Sequence, residues 1–276
     1  MATADSPGVD LHSHSLHSDG HHAPAEVIRR AAAAGLGTVA LTDHDNFDGL
    51  EEAATAAARD GVRLVPGIEI SATFAGGDVH LLGWFADPAH RKLRETLAGL
   101  REARERRLDG MLRALEKTGA PVTEEAVRAR ITGSAPGRPH VAAALVAAGH
   151  AASVQDAFDR WLKRGRPGYV ALTRPDAAAA VALLREAGGV AGLAHPGLGV
   201  PDTTIQLLAR AGLAGLEADH PAHAPERRKK YRALARRLGL IPTAGSDFHG
   251  DGDRYHRMGA EAMDENRLDA LLGRRL

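Results

Sequence analysis

The sequence predicts an α/β fold in which a parallel sheet or barrel carries an all-helical insertion between its fourth and fifth strands. Three observations predict it. Short apolar runs alternate with alanine-rich helical stretches, joined by short connections. That rhythm breaks once, over residues 88–172, where only helical patterns are found. And the apolar runs are marked, one after another, by His, Asp or Glu at or just past their ends.

In order, the predicted strands are 9–11, 38–42, 64–70, 79–84, 190–194, 215–218 and 240–244. Between the early ones lie helices at 24–34 and 47–59; the first opens on Pro24 and stops at Gly35, the usual punctuation. Later helices fall at 175–187, 201–211 and 225–238. The insertion holds a long charged helix at 89–118 and shorter ones at 123–130, 139–148 and 153–162. This divides the chain into a barrel domain, 1–87 with 173–276, and a helical segment, 88–172. Arg101, Arg104, Arg106 and Arg107 alternate with Glu102 and Glu105, which reads first as a solvated helix face with local ion pairs.

Composition narrows the classes. The 276 residues carry 35 Lys+Arg against 35 Asp+Glu, so bulk attraction to nucleic acid is not expected. A hydrophobic fraction of 44% is enough for a core. No cysteine means no disulfide framework, no thiolate nucleophile and no Cys-ligated metal. No apolar window reaches membrane-span length, and residues 1–10 lack the pattern of a signal peptide, so a cytoplasmic protein is expected, with no membrane association. The 15 histidines stand out, because imidazole is the commonest metal ligand.

Their positions carry the chemistry. Asp10-Leu11-His12-Ser13-His14 ends the first strand; residues i and i+2 of a strand face one side, so His12 and His14 can grip one ion. His-x-His alone is a weak signal, and Asp19-Gly20 alone is a turn. Thr42-Asp43-His44-Asp45 follows the second strand; Asp45 or Asn46 suits a helix N-cap, which leaves His44 unexplained. Glu69 sits among Leu64, Val65, Ile68 and Ile70, where an unpaired carboxylate is costly, so it needs a salt bridge or a metal. His80 opens an apolar run and, taken alone, reads as a core histidine. His195 ends the fifth strand, and Asp247 and His249 follow the last at i and i+2. In βα barrels the strand C-termini meet at one mouth, so the convergence of these pieces outweighs any one of them. Six histidines and the carboxylates of Asp19, Glu69 and Asp247 suffice for as many as three ions if Glu69 bridges. Mixed imidazole and carboxylate donors suit Mn, Fe or Zn.

Together these residues resemble the PHP (polymerase and histidinol phosphatase) family of metal-dependent phosphoesterases, with the motifs in order from Asp10 to His249. Within it the chain resembles stand-alone bacterial members that remove phosphate from nucleotides, 3′,5′-bisphosphonucleosides among them, and some that trim short RNA. The resemblance implies a distorted (β/α)7 barrel and two or three divalent ions, Mn first, Fe or Zn as alternatives. It assigns His12, His14, Glu69 and Asp247 to one ion, Glu69, His80 and His195 to a second, and Asp19, His44 and His249 to a third. Some relatives carry His in place of Asp19, and some bind only two ions.

Gly137-Arg138-Pro139-His140 resembles a run in which Arg138 and His140 meet substrate phosphate; the plain reading is a helix start with a solvated Arg. In Glu217-Ala218-Asp219-His220-Pro221-Ala222-His223, His223 is expected to contact phosphate or to donate a proton to the leaving oxygen, and His220 to pack or orient. Asp219 departs from the larger residues of relatives. Asp43 is expected to orient the attacking water or His44. His17, His21, His22, His90, His150 and His256 read as solvent or packing residues.

The implied mechanism is in-line attack on phosphorus by hydroxide held between ions, with the helical segment reading the nucleoside. The implied substrate is a phosphorylated nucleotide or a short oligoribonucleotide, with no stable protein partner. Three alternatives stay open: a histidinol-phosphate phosphatase, a 5′→3′ exonuclease on short RNA with the Arg101–Arg107 stretch tracking the backbone, and a non-catalytic metal-binding module.

Overall fold

Seven strands form one sheet in sequence order. The structure is a computed structural model and describes residues 8–131, 136–251 and 257–275. Strand β1 (Gly8–Asp10) pairs in parallel with β2 (Leu36–Leu41), and β2 with β3 (Arg63–Phe74). The chain then turns through Ala75 and Gly76, whose φ values are 48° and 79°, and returns as β4 (Gly77–Trp84). Two left-handed residues make a tight turn whose twist suits a hairpin. A parallel crossover needs a dozen or more residues, so β4 runs antiparallel to β3 and also to β5 (Val190–Leu193). The expectation of a wholly parallel sheet is corrected here: β4 opposes both its neighbours. Parallel pairing resumes from β5 to β6 (Gly215–Asp219) and from β6 to β7 (Ile241–Ala244). Past the strand ends, Leu11 N–H donates to Ala244 O (3.1 Å) and His14 N–H to Phe248 O (2.9 Å), which links the first strand's exit to the last.

The early helices cover β2 and β3. Helix α1 (Pro24–Ala33) buries Val27, Ile28 and Ala31. Helix α2 (Leu50–Asp60) buries Ala53, Ala56 and Ala57, and stops at Gly61, where φ is 70°. These faces share an apolar cluster with Val39, Leu41 and Phe248.

The chain divides into two compact units, Met1–Thr96 with Pro175–Leu276 and Leu97–Arg174. Helix α3 (Arg91–Lys117) runs from the first into the second. The second unit adds α4 (Glu124–Arg128), α5 (Arg138–Ala147), α6 (Val154–Ala157) and a π-helical turn at Phe158–Leu162; among its described residues there is no strand. Thr123 and Ser153 cap α4 and α6 with their hydroxyls. Leu108, Met111, Leu115, Val127, Val141, Leu145 and Leu162 form this unit's own core.

In the first unit, α7 (Ala177–Glu186) is capped by Asp176, which accepts from Ala178 and Ala179 N–H. Helices α8 (Asp202–Arg210) and α9 (Pro225–Arg237) follow β5 and β6. A further helix, α10 (Glu265–Leu272), was not predicted; Asp264 caps it and Leu268 and Leu271 bury its short apolar face. The core of the sheet centres on Trp84, fully buried with Val9, Leu11, Val65 and Leu82. Its Nε1–H donates to Leu11 O (3.0 Å), and its ring lies where a Cβ on Gly192 would sit 2.5 Å from Cη2. Among the described residues no helix is long and apolar enough to cross a membrane.

Candidate metal centre

The site is assembled where strands end. Asp10, at the end of β1, spends both carboxylate oxygens on backbone. Oδ1 accepts from His12 N–H (3.2 Å) and Ser246 N–H (3.0 Å), and Oδ2 from Gly259 N–H (3.1 Å). Asp247 N–H donates to His12 O at 2.9 Å. The turn bearing His12 and His14 is therefore tied to the turn bearing Asp247 and His249. Next to it, Asp45 N–H donates to Glu69 O (3.0 Å) and Glu69 N–H to Asp43 O (3.1 Å), which brings His44 beside Glu69. Asp45 is not the cap of α2; its Oδ1 accepts Ser71 N–H at 2.7 Å. His80 comes from the first half of β4, because that strand runs the other way. Asp45, His195 and Asp247 have φ of 56°, 24° and 51°. Left-handed backbone is costly for residues with a Cβ and clusters at functional sites.

The carboxylate of Glu69, buried, lies at the centre. Its Oε2 is 3.2 Å from each of His12 Nε2, His14 Nε2 and His44 Nδ1. Its Oε1 is 2.9 Å from His80 Nδ1 and 3.0 Å from His195 Nε2. Asp247 Oδ1 is 3.2 Å from both His12 Nε2 and His14 Nε2. Asp19 Oδ1 is 3.2 Å from His249 Nε2, and its Oδ2 3.8 Å from His44 Nε2. Two ligand atoms about 2.1 Å from one ion and at right to tetrahedral angles stand about 3.0–3.4 Å apart. Three groups have ligand atoms within 4.8 Å of one another: His12, His14, Glu69 and Asp247; His44, Glu69 and His80; His14, Asp19, His44 and His249. All nine residues singled out as ligands thus face one another through Glu69, Asp247 or Asp19. The grouping differs in detail from the resemblance, with His44 beside His80 and His14 beside Asp19.

The electrostatics are those of a cation site. Burial opposes charge on His14, yet the carboxylates of Asp247 and Glu69, each 3.2 Å from its Nε2, outweigh it and push it up to about 10. Burial alone would raise Glu69, but the histidines packed around its carboxylate, His44 and His12 foremost, hold it well below the usual range. Asp247, equally buried, is held low by His12 and His249. Burial dominates at His44 and takes it down to about 4. The carboxylates thus collect positive charge, as protons on some rings or as metal. His14 Nε2, His44 Nδ1 and Asp19 Oδ1 are buried 3.2 Å from opposing groups of the cluster, yet none of the three makes a hydrogen bond of good geometry. Buried polar atoms left this way are rare, and these three all face the cluster, so the donor set fits divalent ions.

Two expected roles are altered by the hydrogen bonds. Asp43 does not turn its carboxylate to His44. Its Oδ1 accepts from Ser15 N–H and Ser18 Oγ and its Oδ2 from Ser15 Oγ, each at 2.7 Å, so it holds the loop between His14 and Asp19. His223 is buried; its Nδ1–H donates to Ala218 O and its Nε2 accepts Gly197 N–H, both at 3.0 Å. Burial lowers its affinity for a second proton. In this arrangement both ring nitrogens are engaged by backbone, and the ring ties Gly197 to Ala218.

The other expectations fall as follows. His220 Nε2–H donates to Asp247 Oδ2 (3.3 Å) while its Nδ1 accepts Ala222 N–H, an orienting role. Asp219 is buried against Arg232 (2.7 Å to Nε) and Arg267 (3.3 Å to Nη1), so its small size matches an internal ion pair. Arg138 and His140 open α5 in the second unit; His140 Nδ1 accepts Gly137 N–H at 3.0 Å and the Arg138 guanidinium lies 5.7 Å from the Phe158 ring. His22 pairs with Asp251, and His150 Nε2–H donates to Pro121 O. His256 lies outside the described residues. Sequence reasoning gave no role to Asp10 or Glu217, although both are acids inside apolar strands, the signal that singled out Glu69.

The PHP domain profile matches residues 10–172, more than half of the chain. The chain belongs to the PHP family. This PHP protein is 38% identical over 251 residues to a 3′,5′-nucleoside bisphosphate phosphatase of Chromobacterium violaceum, covering 89% of this chain and 88% of that one. It is 35% identical over 251 residues to the 5′-3′ exoribonuclease Rnm of Escherichia coli, covering 87% and 84%. A solved structure from Bifidobacterium adolescentis, named as a metal-dependent phosphoesterase, matches it with a TM-score of 0.89 at 32% identity, over 99% of this chain and 98% of that one. The PHP protein is accordingly a metal-dependent hydrolase of phosphoester bonds.

Proposed function

We propose that this PHP protein removes the 3′-phosphate of 3′,5′-bisphosphonucleosides. The observation that supports the reading most is the Glu69 junction, one buried carboxylate whose two oxygens face five histidines. Two or three divalent ions suit it, Mn first and Fe or Zn as alternatives. His12, His14, Glu69 and Asp247 would hold one; Glu69 and His80, with His195 or His44, a second; Asp19, His44 and His249 a third. Such ions lower the pKa of bound water and offset charge on a transferring phosphoryl group.

The chain's own residues do the positioning. Glu69 fixes the spacing of the rings on its two sides. Asp43, through Ser15 and Ser18, fixes the loop that presents Asp19. His220 fixes the orientation of Asp247. Water adds to phosphorus, the bond to the 3′ oxygen breaks, and that oxygen leaves protonated as the alcohol, with inorganic phosphate as the second product. We read the hydrogen bonds between the first and last strand exits as closure of a distorted (β/α)7 barrel. We read residues 88–172 as its substrate-recognition segment, with Arg138 and His140 as phosphate contacts. On that reading Arg138→Ala raises KM for the bisphosphate about tenfold or more, the value of a charge-assisted hydrogen bond, and leaves kcat within about twofold.

The test is phosphate release from 3′-phosphoadenosine 5′-phosphate with Mn²⁺, comparing wild type with Glu69→Ala and His195→Ala. Loss of turnover in both supports the reading, and wild-type turnover in both overturns it. A second reading, exonuclease action on short RNA, is favoured by the likeness to Rnm. It predicts that a 5′-phosphorylated pentaribonucleotide shortens one nucleotide at a time, with strong salt dependence.

A further inference from the structure

Glu217, on β6, has no role in the reading above, yet it touches two of the residues in it. Its side chain is buried and its oxygens are divided. Oε1 accepts His12 Nδ1–H at 3.0 Å. Oε2 accepts the backbone N–H of His195 at 2.6 Å. The same two histidines meet again at Glu69, where His12 Nε2 is 3.2 Å from Oε2 and His195 Nε2 is 3.0 Å from Oε1. Their rings lie 5.7 Å apart and 25° from parallel. Two carboxylates therefore hold one pair of histidines from opposite ends.

Each hold does something different. A histidine that ligates through Nε2 carries its proton on Nδ1, and an acceptor placed at Nδ1 fixes that tautomer and the ring's direction. At His195 the backbone is held instead. Its φ of 24° is unfavourable for a residue with a side chain and persists only where the surroundings impose it. The carboxylate is also confined, since a Cβ on Gly245 would stand 2.7 Å from Glu217 Oε1 and 2.3 Å from His12 Cβ.

We infer that Glu217 is a positioning residue that sets the separation of His12 Nε2 from His195 Nε2, and so couples ion binding on the two sides of Glu69. The inference rests on the metal-centre reading. Its test is Glu217→Gln in the full chain, stripped of metal and titrated with Mn²⁺ alone, with free Mn²⁺ counted by electron paramagnetic resonance. Glutamine keeps the shape but offers one acceptor and one donor, whereas both partners of Glu217 are donors. Only one of the two holds survives. Affinity is expected to fall about 10- to 100-fold at more than one step of the titration, with the Tm of the metal-free protein within about 5 °C of wild type. Titration curves equal to wild type overturn the inference, and so does a loss confined to one step. Wild-type protein that takes up neither Mn²⁺ nor Zn²⁺ nor Fe²⁺ overturns the metal-centre reading instead. A second measurement needs no variant: in wild type loaded with diamagnetic Zn²⁺, ¹⁵N-histidine NMR should show His12 protonated on Nδ1 with slow exchange. Protonation on Nε2 overturns the inference.

Discussion

Replacing Glu69 by Gln tests the junction without changing its shape. The wild-type carboxylate serves two sides, with Oε2 3.2 Å from His12, His14 and His44 ring nitrogens and Oε1 2.9 and 3.0 Å from those of His80 and His195. Glutamine has one oxygen, so it can serve one side only and turns an N–H₂ toward the other. Removing an outer hydrogen-bond partner already costs about 10- to 100-fold in metal affinity, and a direct ligand is worth more. The deserted side should weaken by more than about 100-fold, or about 2.7 kcal/mol, while the served side keeps its ion. Elemental analysis after dialysis against Mn²⁺ should find at least one ion per chain fewer than in wild type, and Glu69→Ala should lose ions on both sides. An unchanged Mn²⁺ content and turnover in Glu69→Gln would refute the bridging role.

Three further outcomes are expected. In metal-free protein His14 is raised from 6.5 to about 10, so its contribution to stability is complete below pH 6.5 and is lost as pH rises through about 10; urea melts across that range should show the decline, and Mn²⁺ loading at neutral pH in weak buffer should release protons. Trp84→Ala should cost about 3–5 kcal/mol in denaturant unfolding, because the fully buried ring leaves a cavity over Gly192 and Gly215. His223→Gln should keep the alkaline limb of the kcat/KM profile, since the ring is engaged by Ala218 O and Gly197 N–H; disappearance of that limb would restore it as the proton donor.

The side chains of the candidate metal centre were legible in the sequence because most are polar residues in an apolar setting at or just past a strand end, and an ion is one of few ways to keep such a residue there. The direction of β4 was not, because its turn uses Ala75 in a left-handed conformation that sequence does not advertise. That reversal is what lets His80, near the start of its strand, reach the same cluster as residues at the ends of the others. Helix α10 escaped because its apolar face is two leucines wide. Asp43 and His223 were read by residue type as chemical groups, and only their hydrogen bonds assign them to holding loops in place. Which oxygen of Glu217 faces which partner depends on the pairing of β6 with its neighbours, and no local pattern carries that.

His12 and Asp247 stand near opposite termini of the polypeptide, yet share one set of ligand atoms. A cation gripped by both is a reversible cross-link that closes a loop of nearly the whole chain, and restraints on loops that long limit the unfolded ensemble most. Chelation should therefore open the molecule along the line where its two ends meet, and the first sites exposed to a protease should lie beside that line.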